Sequence, residues 1–178
     1  MEEIIALVKQ DELRLEALEC VRLLDLPDCY IAAGFIRNLV WDHLHGMSSP
    51  TPLNDVDVIY FDNAEIDPEL YLAYEQQLKV IMTSLNWQVR NQARMHERNG
   101  DPKYLNSVDA MSYWPEKETA VAIRKLENGC FECVSALGFE SLFQCKVTYN
   151  PKRKREVFEK RVNSKGWLVH WPNLTSVL

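Results

Sequence analysis

The sequence predicts an α+β domain in which a mixed β-sheet is flanked by helices. Three observations predict it. Stretches with apolar residues at helical spacing alternate with short β-branched runs. Their order is helix, strand, helix, strand, helix, strand, hairpin, helix and tail, which suits a mixed sheet with helices packed on it. The 178 residues fit one domain of ordinary size, without internal repeat, linker or low-complexity run. A single domain over 1–178 is expected, with a core at about 25–150 and a C-terminal extension at 151–178.

The elements follow in order. Residues 2–25 place Ile4, Ile5, Leu7, Val8, Leu15, Leu18 and Val21 at helical spacing, giving one or two helices that stop near Pro27. "CYIAAG" is a short apolar run ending in glycine, a buried strand. "FIRNLVWDHLHG" puts Ile36, Leu39, Val40, His43 and Leu44 on one stripe, with Gly46 as C-cap. "DVDVIYF" is rich in β-branched and aromatic residues and reads as a strand. "PELYLAYEQQLKVIMTSLN" is a helix with Pro68 at its start. "WQVRNQA" reads as a third strand, which would put Arg90 and Arg94 on one face. A turn follows at Asn99-Gly100-Asp101-Pro102, and "SVDAMSYW" is a short helix before Pro115. "TAVAIRKLENGCFECVSAL" is a hairpin around Asn128-Gly129, a pair suited to a tight two-residue turn. "GFESLFQCKV" is a short helix, and the tail is a basic segment followed by an apolar anchor.

Composition narrows the function. With 47% hydrophobic and 26% charged residues the chain is globular in type. A net charge of −6 argues against nucleic-acid binding by the whole surface, though not against a local basic patch. No window suits a membrane-spanning helix. The acidic, amphipathic start lacks the basic-then-apolar pattern of a secretory leader, so a cytoplasmic location is expected. Cys20, Cys29, Cys130, Cys133 and Cys145 are expected as free thiols. Cys130 and Cys133 would point to opposite faces of a strand, which disfavours a shared zinc ion.

The chemistry concentrates in two neighbouring stretches, "IAAGFIRN" and "NDVDVIYFD". Asp55 and Asp57 stand two apart, so a strand projects both from one face about 6–7 Å apart along the chain. Carboxylates held that close repel, and a divalent cation relieves them. Upstream, Gly34 ends a strand and opens a helix. Bare backbone there lets a phosphate approach free N–H groups at the positive end of the helix dipole. Arg37, one turn on, is a bidentate phosphate donor. The plainer alternatives are a tight turn at Gly34 and an ion pair of Arg37 with Asp42 or Asp57.

These stretches resemble the strand–helix–strand signature of the DNA polymerase beta-type nucleotidyltransferases. The glycine-x-apolar-arginine-asparagine form is similar to the head domain of tRNA nucleotidyltransferases, over about residues 28–93. Over nearly the whole chain, including "NQARMHERNGDPKY", "SVDAMSYWPEKETAVAIR" and "KGWLVHWP", it resembles an uncharacterised bacterial nucleotidyltransferase-like family. The resemblance implies the polymerase beta-like fold. It further implies transfer of a nucleoside monophosphate from an NTP by two Mg²⁺ (or Mn²⁺) ions. Asp55 and Asp57 would be the catalytic metal ligands, and Gly34, Arg37, Asn38 and Asn91 would contact the nucleotide. The acceptor stays open between RNA, protein and small molecule, as does the oligomeric state; no membrane is implied.

Two departures bear on that expectation. Ala33 replaces the first glycine of the usual pair, a mild change on sequence grounds. Asn91 stands near the place of the third carboxylate, and an amide neither carries the charge nor accepts the proton. Glu132 and Asp109 are the candidate substitutes; without one, the fold would be a catalytically impaired nucleotide-binding or partner-binding module. Arg90, Arg94, His96 and Arg98 offer a further basic set. Lys152–Arg161 could contact an acidic substrate such as RNA but reads better as a solvated helix face; Trp114, Trp167 and Trp171 could stack on a base but read better as residues that close the core.

Overall fold

The computed structural model describes residues 1–178. Helices α1 (Glu2–Val8) and α2 (Glu12–Arg22) lead into strand β1 (Tyr30–Ala32), helix α3 (Gly34–Leu44) and strand β2 (Val56–Tyr60). Helix α4 (Leu70–Ile81), strand β3 (Trp87–Asn91) and helices α5 (Gln92–Asn99) and α6 (Ser107–Met111) follow. A 3₁₀ turn at Lys117–Thr119 opens the hairpin of β4 (Val121–Lys125) and β5 (Phe131–Ser135). Helix α7 (Glu140–Phe143), strand β6 (Lys146–Thr148), helices α8 (Arg155–Lys165) and α9 (Trp167–His170) and strand β7 (Thr175–Val177) complete the chain.

The main sheet runs β3-β2-β1-β4-β5. Only β2 and β3 are parallel; the other neighbours are antiparallel, so the sheet is mixed as expected. A second sheet pairs β6 with β7 in parallel. Alternation along the strands divides the side chains between two faces. Ile31, Val56, Val58, Tyr60, Val89, Val121 and Ile123 join the main cluster of 29 buried residues, together with the apolar sides of α1 to α4. Tyr30, Ala32, Ile59, Ala120 and Ala122 form a smaller cluster with Met111 of α6.

Helix α3 is buried on more sides than one stripe allows. Phe35, Ile36, Val40 and Trp41 are buried, whereas His43 is exposed. The reason is the tail. Phe158, Val162, Trp167 and Trp171 pack into the main cluster, and both tryptophans meet Trp41 edge-on. The tail thus anchors through its apolar residues as expected, but it does so as two helices and a strand, and β6 and β7 were not foreseen.

Three smaller corrections concern local geometry. The hairpin turn is longer than two residues: Leu126 N–H donates to Cys130 O at 2.8 Å, and Gly129, at φ 80°, completes a wider loop. Helix α4 starts at Leu70, two residues beyond Pro68. Strand β3 ends at Asn91, so Arg94 lies on a helix and shares no strand face with Arg90. Arg90 pairs with Glu75 and stacks on Tyr71, while Arg94 donates to the carbonyls of Glu65 and Ile66.

No helix is long and apolar enough to cross a membrane. All five cysteines are free; Cys133 is buried, while Cys130 is exposed in the hairpin loop. Burial pushes the thiols of Cys29 and Cys133 up to about 12, which leaves both unreactive at neutral pH.

Candidate functional site

Strand β1 ends where the Ala33 N–H donates to Val121 O at 2.9 Å. The chain then turns sharply into α3, with Ala33 at φ 53° and ψ −118°. Its carbonyl accepts from the N–H groups of Ile36 and Arg37. Gly34 and Phe35, the first two helical residues, thus have no backbone acceptor. The left-handed position belongs to Ala33, not Gly34, so alanine there is a strained substitution rather than a mild one. A Cβ on Gly34 would meet Arg37 and Asn38 only at ordinary contact distance, 3.5 and 3.7 Å. The packing tolerates a side chain at Gly34; what the glycine leaves bare is backbone along a cavity.

Arg37 projects from the first turn of α3 and is only 8% exposed. Its guanidinium lies 4.5 Å from the Trp167 ring centroid and 5.2 Å from that of Trp41. Asn38 Oδ1 accepts from Arg37 Nε at 3.2 Å and Nη2 at 2.9 Å. No carboxylate pairs with it, and burial pushes its pKa down to about 10, still well above neutral pH. The ion pair with Asp42 or Asp57 does not form. Asp42 instead accepts from Thr51 N–H at 2.7 Å, Thr51 Oγ1 at 2.6 Å and Trp171 Nε1 at 2.8 Å.

Asp55 lies exposed just before β2, and Asp57 is half-buried on that strand. Asn86 Nδ2 donates to Asp55 at 2.5 Å. Burial, and then the charge of Asp55, push the Asp57 carboxyl above its ordinary range; Arg37, Lys165 and Arg161 pull it back in part. Two hard oxygen donors with an unrelieved repulsion suit a Mg²⁺ or Mn²⁺ ion that also holds phosphate. No group of three or more His, Cys, Asp or Glu side chains able to hold a metal occurs in the structure.

Asn91 lies elsewhere. Strands β2 and β3 pair Asp57 with Gln88 and Tyr60 with Asn91. Asn91 is thus three residues from the level of Asp57, about 10 Å along the strand and on the other face. There it caps α5 through Ala93 N–H, bridges Asp62 and donates to Glu65. Glu132 shares the face of Asp57 but lies three strands away, about 14 Å across the sheet. Arg124 and Tyr30 hold it. Asp109 sits in the first turn of α6, where it accepts from Leu105 N–H. None of the three joins Asp55 and Asp57. His96 is also remote, packed edge-on against Tyr104 with its buried Nδ1 unpartnered.

Gly34, Arg37, Asn38, Asp55 and Asp57 line one cavity of about 640 Å³. Its remaining walls come from parts of the chain read as structural. Helix α8 contributes Arg161 and Lys165; Arg161 is paired to the fully buried Glu116, and Lys165 has no carboxylate partner. Trp114 and Pro115 form another wall, and Thr51 and His170, bonded at 2.7 Å, a third. One sequence feature marked α8: Phe158, Arg161, Val162 and Lys165 fall at i, i+3, i+4 and i+7, so the two cations flank its buried stripe.

The comparisons with known proteins bear on the fold and the family. No curated protein matches the chain in sequence. A solved structure described as "The NMR structure of the protein reveals a CCA-adding enzyme head domain" is similar to it, at 31% identity and a TM-score of 0.86. The alignment covers 99% of this chain and 95% of that one. A family match spans residues 19–176, from helix α2 to strand β7, and therefore takes in every wall of the cavity. On that match the chain belongs to the nucleotidyltransferase family.

Proposed function

We propose that the protein transfers a nucleoside monophosphate from an NTP to an acceptor hydroxyl or phosphate, releasing pyrophosphate. The observation that carries this is Arg37: a buried cation without an acid partner, opening onto the cavity that also holds Asp55, Asp57 and bare helix N–H groups. A triphosphate matches what that arrangement lacks. Gly34 would admit it to the end of α3, and Arg37, held by Asn38 and two indole rings, would grip it. Lys165 and Arg161 would add positive charge from the opposite wall. Asp55 and Asp57 would hold the divalent ions, which when bound neutralise charge on the phosphates and activate the attacking group. A cytoplasmic location belongs to the same reading, since five free cysteines suit a reducing compartment.

A second reading has its own observation. No third carboxylate accompanies Asp55 and Asp57, and this favours a module that binds a metal-nucleotide complex and transfers nothing. Incubation with each α-phosphate-labelled NTP, Mg²⁺ or Mn²⁺ and a cell extract separates the two. Label transfer that disappears in Asp57→Ala supports the enzyme. Thermal stabilisation by Mg-NTP without transfer supports the module. Neither stabilisation nor transfer overturns both. The acceptor, whether RNA, protein or small molecule, is identified by where the label goes.

A further inference from the structure

We infer that Trp114 is the platform on which the nucleobase stacks, and that this platform reads the base face and not its edges. The inference rests on the nucleotide reading of the cavity and adds to it the way the site treats the base.

Three tryptophans line the cavity, and two are already engaged. Trp167 carries the Arg37 guanidinium over its ring and meets Trp41 edge-on. Trp171 packs on Trp41 and His170, with its indole N–H on Asp42. Both are almost fully buried. Trp114 is half-buried, packs against the smaller apolar cluster and has neither an aromatic nor a cationic partner.

Its support is rigid. The Trp114 N–H donates to Met111 O at 2.9 Å, and its carbonyl accepts from the buried Asn150 Nδ2 at 2.7 Å. The next carbonyl, that of Pro115, accepts from Asn150 N–H at 3.0 Å. One buried asparagine therefore clamps the backbone on both sides of the Trp114–Pro115 bond. With the backbone held and the side chain packed on the smaller cluster, little freedom is left to lose when a base lies on the ring.

The ring's nearest neighbours offer a base edge little to donate. Pro115 has no N–H, the Trp114 N–H is taken by Met111 O, and the Thr119 hydroxyl proton goes to the Glu116 carbonyl at 2.8 Å. The Trp114 indole N–H lies in the ring plane, out of reach of a base on the ring face. Stacking tolerates every base, because each has a π-face.

The test is calorimetric titration of the full chain with Mg²⁺ complexes of ATP, GTP, CTP and UTP, and of inorganic tripolyphosphate. Wild-type protein should bind each NTP about tenfold or more tightly than tripolyphosphate. The four NTPs should fall within about tenfold of one another, a spread that stacking differences alone supply. Trp114→Leu should cost each NTP about tenfold and leave tripolyphosphate within about twofold, while Trp114→Phe should keep most of the NTP affinity. Equal loss for NTP and tripolyphosphate in Trp114→Leu would reduce Trp114 to a structural role and overturn the inference. So would unchanged NTP affinity, or one NTP preferred about a hundredfold. Wild-type NTPs binding no tighter than tripolyphosphate would overturn it without recourse to any variant. If neither NTP nor tripolyphosphate binds, the nucleotide reading itself fails, a result distinct from tripolyphosphate binding with no gain from the base.

Discussion

The guanidinium of Arg37 stacks 4.5 Å from the ring centroid of Trp167, a residue of the C-terminal helices, with no carboxylate beside it. The contact explains how a buried cation is tolerated: indole faces supply electron density where an acid would otherwise stand. It also leaves the guanidinium without a direct carboxylate partner, since Glu116, Asp57 and Glu118 act on its charge only through space. Arg37→Met keeps the length and apolar stem and removes the charge. The expected result is an unfolding midpoint unchanged or raised, because an unpaired buried charge costs stability. Tripolyphosphate binding should fall about tenfold or more, the worth of a charge-assisted hydrogen bond. Urea unfolding and calorimetry on the same preparation check both halves.

Ala33 occupies φ 53° and ψ −118°, a conformation that costs a non-glycine residue roughly 1–3 kcal/mol. Ala33→Gly removes that cost and adds roughly 0.4–1 kcal/mol of unfolded-state entropy. The net expectation is a gain of about 1 kcal/mol, read as a higher urea midpoint with an unchanged slope. A loss of stability would mean that the turn is not strained by its Cβ.

How much of this was legible follows from range. Gly34, Arg37, Asp55 and Asp57 could be read because each depends on local geometry: a strand ending, a helix starting, two acids two residues apart, although Asp55 proves to lie just ahead of β2 and not on it. Asn91 could not be placed, because nothing in "WQVRNQA" states the register of β3 on β2, and an offset of three residues changes both level and face. Ala33 was misjudged because its φ is set by the hydrogen bond to Val121, almost ninety residues on. Trp114 was read first as core and Arg161 as part of a solvated face, and Lys165 carried no reading at all, since only closure of the tail over α3 brings them to the cavity. The stripe of α8 held a clue, in that Arg161 flanks buried Phe158 and Val162.

Asp57 gives a pH prediction. Burial and Asp55 raise its pKa in the folded state, so the native protein binds this proton more tightly than the unfolded chain does. Between the unfolded value, about 4, and the folded one, stability falls as pH rises; above that window the penalty is constant. Asp57→Asn should therefore be more stable than wild type at pH 7, and the difference should close as pH falls below about 4. Added Mg²⁺ should raise the wild-type midpoint at pH 7 more than that of the variant. Denaturation across the pH range, with and without Mg²⁺, reads both effects. A variant less stable at neutral pH would show that Asp57 is held by a favourable partner instead.

The pair between Arg161 and Glu116 ties α8 to the cavity. Glu116 is fully buried and accepts from Arg161 Nε at 2.6 Å and Nη2 at 3.2 Å. Arg161 is about one-third exposed, which dilutes its side of the pair. Arg161→Ala strands a carboxylate in the interior and should cost about 2–3 kcal/mol, somewhat less than the loss for a pair buried on both sides. Replacing both partners, Glu116→Leu with Arg161→Met, should restore most of that stability, because no charge is left uncompensated. The double variant still lacks the Arg161 charge at the cavity wall. Its tripolyphosphate affinity should remain below wild type while its unfolding midpoint recovers. Recovery of both together would assign the pair to stability alone. Loss of stability in the double variant as deep as in Arg161→Ala would show that α8 is held by the specific geometry of the ion pair, and not by the need to neutralise Glu116.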